Sequence, residues 1–177
     1  MEFLEKDLEE IIYLSDKRKL SDRGLYLMGH LKKQLKIGNY GIADLVEIER
    51  PFYPKKSVNQ IFGTTHFKGC INVIELKKDK IGVSTFFQAL NYLTGIKTYL
   101  AQRGLEQLFN YKITLIGKDV DLNSSFCYLG DIFDNDLQCI SIDSESLVSV
   151  KLYKYSYGIE GLEFHEISDY NLKVKGF

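Results

Sequence analysis

Apolar residues recur at helical spacing from the start of the chain. Phe3, Leu4, Leu8, Ile11, Ile12 and Leu14 form one stripe, and Glu2, Glu5, Asp7, Glu9 and Glu10 enrich the early turns, where the helix dipole favours acids. This pattern predicts an amphipathic helix. The polar run Ser15 to Gly24 reads as a loop or frayed turn, and Leu25 to Leu35 as a first strand, although LMGHLKKQL also fits a short helix. From Tyr40 to Glu49 the chain alternates as a strand does. Ile42, Asp44, Val46 and Ile48 share one face, which sets Asp44 among apolar neighbours.

A long connection, Pro51 to Gly69, holds both prolines and the basic pair Lys55 and Lys56. INVIELK then predicts a strand over Ile71 to Lys77, with Ile71, Val73, Glu75 and Lys77 on one face. The following segment is helical, with an apolar stripe of Phe86, Ala89, Leu90, Leu93, Ile96 and Leu100. Thr85 and Gln88 have capping-box spacing, and Gly104 suits the position after the last turn. Gln88 and Tyr92 stack one turn apart. KITLIG, Lys112 to Gly117, is a short buried strand of the kind a βαβ crossover produces. Beyond Asp119 short strands follow: one over Leu137 to Ile142, then VSVKLYKYSY and GLEFHEI, which pair as a hairpin through Gly158 to Gly161. The order predicts an α/β fold with a central mixed sheet flanked by helices and a strand-rich C-terminal extension.

Composition narrows the class. With 177 residues, 45% of them apolar, the chain suits a single domain, a core over 1–118 and an extension over 119–177. The net charge of -1 hides an uneven distribution: Lys17, Arg18, Lys19, Arg23, Lys32, Lys33 and Lys36 face a lone Asp22, while Asp119 to Glu145 is mainly acidic. Cys70, Cys127 and Cys139 match neither a metal motif nor a disulfide framework, so they read as reduced thiols. His30, His66 and His165 lack metal-ligand spacing. With neither a signal segment nor an apolar run of about 18 residues, the expected location is the cytoplasm, with no membrane partner.

Asp44 on one strand and Glu75-Leu76-Lys77 on the next carry the candidate chemistry. Adjacent strands lie about 4.8 Å apart, so both carboxylates can approach one hard cation while Lys77 reaches a neighbouring water. Carboxylate oxygens with a main-chain carbonyl suit Mg²⁺ or Mn²⁺, which also accept phosphate oxygens.

Gly41-Ile42-Ala43-Asp44-Leu45 resembles the GxxD(L/V) element of the PD-(D/E)XK nuclease superfamily, and Val73-Ile74-Glu75-Leu76-Lys77 its Glu-X-Lys element. Gln88-Ala89-Leu90-Asn91-Tyr92 is similar to the QxxxY motif of the RecB-like and NucS-like branches, and Leu4 to Ile12 resembles the first helix of the NucS-like nuclease domain. The resemblance spans Phe3 to Gly117. It implies a restriction-endonuclease-like core and metal-dependent hydrolysis of DNA, with Asp44, Glu75, the Leu76 carbonyl and Glu5 around Mg²⁺ or Mn²⁺. Lys77 would act on the attacking water, and Gln88 and Tyr92 would steady Lys77 or touch the DNA backbone. The connection between Asp44 and Glu75 is longer than the hairpin expected in that branch, and no separate N-terminal DNA-binding domain fits upstream, so substrate preference does not carry over. The implied partner is DNA, and a homodimer is compatible with the pattern.

Plainer readings stand beside these. Glu75 and Lys77 also fit a salt-bridged pair at a strand end, Gln88 a helix cap, Tyr92 simple packing and Glu5 a helix-dipole residue, with Glu9 its rival one turn later. A catalytically silent member of the fold, serving as a DNA-binding or assembly module, keeps the same motifs. Tyr153, Tyr155, Tyr157 and Phe164 alternate as core or cross-strand packing does.

Overall fold

A computed structural model describes residues 4–52, 67–121, 139–143, 146–159 and 161–167, with only the backbone described over 139–143 and 146–147. The chain runs α1 (Glu5–Leu14), α2 (Lys17–Asp22), β1 (His30–Lys36), β2 (Ile42–Glu49), β3 (Gly69–Leu76), β4 (Lys80–Ile81), α3 (Val83–Ala101), β5 (Phe109–Gly117), β6 (Asp119–Val120), β7 (Cys139–Asp143), β8 (Ser146–Gly158) and β9 (Gly161–Glu166). The expected strand pair around Gly158 and Gly161 is present, and those glycines face each other at its turn.

The central sheet is mixed, in the order β1-β2-β3-β5-β8-β7. β1, β2 and β3 are antiparallel, β3, β5 and β8 are parallel, and β7 and β9 lie antiparallel to β8. Tyr153 and Lys154 pair with both β5 and β9, so β9 shares the β7 edge. Because β8 lies inside the sheet, the C-terminal strands complete the core. β4 and β6 form a two-stranded ribbon that continues from the ends of β3 and β5.

Each face buries one apolar layer. On one side Phe86, Ala89, Leu93 and Leu100 of α3 pack on Ile71, Val73, Ile113, Leu115, Val150 and Leu152. On the other, Leu8 and Ile12 of α1 with Leu20 of α2 cover Leu45, Ile74, Leu76, Ile116 and Tyr153. No helix among the described residues is long and apolar enough to cross a membrane.

Several local expectations are corrected. Ser15 to Gly24 is not a loop: the Asp16 side chain accepts the Arg18 N–H at 2.8 Å and caps α2, whose Leu20 is buried. The first strand begins at His30, not Leu25, because the Met28 and Gly29 N–H groups donate to the Glu47 carboxylate instead of to a strand partner. α3 starts one turn before the sequence-based cap: Gly82 is its N-cap, and Thr85 Oγ1 accepts the Gly82 N–H at 3.5 Å. Gln88 is therefore free of the helix end. Gly104, at φ +67, closes the far end as its spacing predicts.

The buried face under α1 and α2 also holds polar groups. Glu47 accepts from Asn72 Nδ2 at 2.9 Å, and Asn72 Oδ1 accepts from Thr114 Oγ1 at 2.9 Å. This ladder spans β2, β3 and β5. Each member is buried and hydrogen-bonded, as burial of polar groups requires.

Candidate active site

The site lies at the carboxyl end of β3. Five apolar or ladder residues seat this strand between β2 and β5, and the parallel register carries it to Leu76. Glu75, on the α3 face behind Ile71 and Val73, is only 1% exposed. Its Oε2 is buried without a hydrogen-bond partner, while Oε1 accepts from Lys77 Nζ at 3.3 Å. Burial first, and then the neighbouring charge of Asp44, push its carboxyl up to about 8 against the opposing pull of Lys77. Near neutral pH this side chain is largely protonated.

Asp44 does not sit in the regular alternation that its strand pattern predicts. The β2–β3 ladder runs from Glu49↔Cys70 to Leu45↔Ile74 and stops there; the next row would be Asp44 and Glu75. In its place the Asp44 Oδ2 accepts the main-chain N–H of Leu76 at 3.0 Å. The faces also switch at this point. Leu45 packs in the α1-side core and Ala43 in the α3-side core, although residues two apart in a regular strand share a face. Asp44 lies between the two layers, half-buried, where burial raises its carboxyl, the Leu76 N–H and Lys77 lower it, and Glu9 and Glu5 raise it again.

The helix α1 brings two acids towards the same corner by different means. Glu5 is exposed, and its Oε1 accepts the Lys78 N–H at 3.1 Å. Glu9 is 5% exposed and held by two consecutive residues of β1: Lys33 Nζ lies 3.5 Å from Oε1, and the Gln34 side-chain amide donates to Oε2. The Tyr155 hydroxyl donates to the Lys78 carbonyl and so ties β8 to the turn after Lys77. Neither Gln34 nor Tyr155 is among the residues the sequence motifs single out. The aromatic alternation of the tail does mark Tyr155 as buried, but not its bond to this turn.

Gln88 and Tyr92 form a pair, with Gln88 Nε2 donating to the Tyr92 hydroxyl at 2.9 Å. Neither has a hydrogen bond to Lys77 among the described residues. Tyr92 instead packs against the start of β2: a Cβ on Gly41 would lie 2.8 Å from its Cε1, and Gly41 has φ +116. Only glycine suits both that backbone and that contact. Asn91 Nδ2 donates to the Tyr40 carbonyl at 2.9 Å, a second bond from α3 to the residues leading into Asp44.

Asp44, Glu75 and Lys77 thus share one corner, with Glu9 and Glu5 at its α1 side. No group of three His, Cys, Asp or Glu among the described residues is placed to enclose a metal ion. The donor set still fits a hard divalent cation: one buried carboxyl oxygen lacks any partner, and burial, with a second carboxylate charge beside it, raises that group. Among the other residues of interest, His30 and His165 are exposed and Cys70 is a half-buried free thiol that burial pushes up to about 11. Lys55, Lys56, His66 and Cys127, the Cys139 side chain and most of the acidic stretch lie outside the described residues. An apolar groove of about 750 Å³, lined by Ile37, Tyr40, Ile48, Ile96, Tyr99 and Phe109, contains none of the site residues.

No family model, curated protein or solved structure matches this chain.

Proposed function

We propose that the chain is a metal-dependent nuclease of restriction-endonuclease-like fold that hydrolyses DNA phosphodiester bonds at the corner formed by Asp44, Glu75 and Lys77. The observation that carries the reading is the unpartnered, buried Glu75 Oε2 beside a second carboxylate and a lysine. A buried carboxyl oxygen without a partner is costly in a merely structural role, and it is the arrangement expected of a cation ligand.

Asp44, Glu75 and the Leu76 carbonyl would hold Mg²⁺ or Mn²⁺. When bound, the cation supplies activation of the attacking water and neutralisation of charge on the scissile phosphate. Lys77, with its side chain 25% exposed, faces both Glu75 and solvent. Its ammonium orients the water whose oxygen forms the new bond to phosphorus, and it stabilises the negative charge that develops as the bond to the leaving oxygen breaks. The attacking water releases a proton to solvent, and the leaving oxygen takes one up from it. Asp44 has a second task, since its bond to the Leu76 N–H holds the main chain next to Glu75 in place. Gln88 and Tyr92 support Gly41 and thus the strand that carries Asp44.

Purified protein incubated with single-stranded, duplex and branched DNA, and with RNA, should cut at least one DNA form with Mg²⁺ or Mn²⁺. Lys77→Ala should lower the rate by about 10²–10³-fold. Absence of cleavage on every substrate, or full activity in Lys77→Ala and Asp44→Ala, defeats the reading.

The placement of the acids favours a second reading, a catalytically silent DNA-binding or assembly module, because the described carboxylates do not enclose a metal. Titration with Mn²⁺ separates the two. Binding that Glu75→Ala abolishes supports the nuclease, and DNA binding without any metal binding supports the module.

A further inference from the structure

Gln34 has φ +51 and is the only residue other than glycine with a positive φ among those described. It lies inside β1, not in a turn, and a left-handed backbone is disfavoured for a side chain of this kind. The register places it in the row opposite Asp44, since Lys33 pairs with Leu45 and Leu35 with Ala43.

The conformation has a specific result. Lys33 and Gln34 are consecutive in a strand and would ordinarily project to opposite faces. Here both reach Glu9 of α1, one to each carboxylate oxygen. Leu31 remains in the α1-side core, but Leu35 passes to the α3-side core. The switch in β1 matches the switch in β2 at Asp44. Gln34 donates to Glu9 Oε2, the Lys33 ammonium, itself bonded to Glu10, lies 3.5 Å from Oε1, and the Glu9 charge acts on Asp44.

We propose that Gln34 is a positioning residue: its left-handed backbone, in the row opposite Asp44, turns the side-chain amide onto Glu9 and holds that carboxylate on the Asp44 side of α1. The assignment rests on the nuclease reading and deepens it. Glu9, the buried acid of α1, then serves the site beside the exposed Glu5, whose charge also acts on Asp44 and Glu75. Glu9 would act from outside the direct ligands, adding negative charge and a hydrogen-bond acceptor beside the cation that Asp44 and Glu75 would hold.

The test uses the full chain, Mn²⁺ alone and no nucleic acid. Gln34→Gly removes the amide but accepts φ +51 without strain, and Gln34→Asn tolerates the same backbone but is one methylene too short to reach Glu9. Both variants should remain folded by circular dichroism, yet bind Mn²⁺ about 10-fold or more weakly by calorimetry. Glu9→Gln should weaken binding similarly, and Gln34→Gly with Glu9→Gln together should lose no more than either alone. If wild type binds Mn²⁺ through Glu75 and both Gln34 variants bind as tightly, the positioning role is overturned and the nuclease reading stands. If wild type binds no Mn²⁺, both fall.

Discussion

The Asp44 carboxylate accepts the main-chain N–H of Leu76 at 3.0 Å, so a side chain continues the β2–β3 ladder at the row where its backbone bonds end. The strands separate without leaving that N–H unpaired.

This bond separates two functions of Asp44. Asp44→Asn keeps an oxygen that can accept from Leu76 but removes the charge that raises Glu75, so thermal stability should be unchanged or slightly higher. Asp44→Ala leaves the N–H without its partner and should cost about 1–3 kcal/mol. Both variants should lose cleavage. Denaturant melts alongside a cleavage assay check the split.

The stability of the metal-free protein should depend on Glu75. Its folded carboxyl titrates at about 8, against an ordinary 4.5, so between those values the folded state binds more protons than the unfolded. The stability this adds is fully present below pH 4.5 and is lost as pH rises through 8. Glu75→Gln mimics the protonated form at every pH. Its melting temperature should rise relative to wild type across that window, as scanning calorimetry would show.

Metal binding should show the same proton from the other side. A cation that takes Glu75 as a ligand must displace that proton, so Mn²⁺ affinity should increase with pH up to about 8, by about tenfold per pH unit for one proton. Calorimetry in buffers of different ionisation enthalpy would count the protons released.

The contact between Gly41 and Tyr92 sets where β2 begins. Gly41→Ala forces a side chain into φ +116 and against the Tyr92 ring, and should destabilise by about 1–3 kcal/mol. Tyr92→Phe loses only the bond to Gln88, for about 0.5–1.5 kcal/mol. Urea unfolding of both variants would rank them.

The buried ladder offers a test away from the site. Glu47→Gln places an amide where the Met28 and Gly29 N–H groups and Asn72 Nδ2 all donate, and should cost about 1–3 kcal/mol. Proteolysis should then cleave first near residues 25–29, whose backbone Glu47 secures.

Periodicity alone marks α1, the apolar stripe of α3 and the strands around Ile71 and Lys112, because each buries one face against a neighbouring layer. The order of strand, helix and parallel strand follows from the same signal. Side-chain identity also marks Asp44, Glu75 and Lys77 as a group, since carboxylates and a lysine at those strand positions suit a cation and a phosphate. The start of α3 and the cap of α2 were less legible: Gly82 and Asp16 act through backbone geometry that several nearby residues could have supplied equally well.

Tertiary structure decided what alternation within one strand cannot express. The β2–β3 ladder ends one row before Asp44, and the left-handed Gln34 in β1 accompanies a change of face in both strands. Gln34 bonds across to Glu9 of α1, and Gln88 bonds Tyr92 instead of Lys77. These relations depend on the register between strands and on helices distant in sequence. A local pattern records which residues are apolar or charged, but not where two strands part.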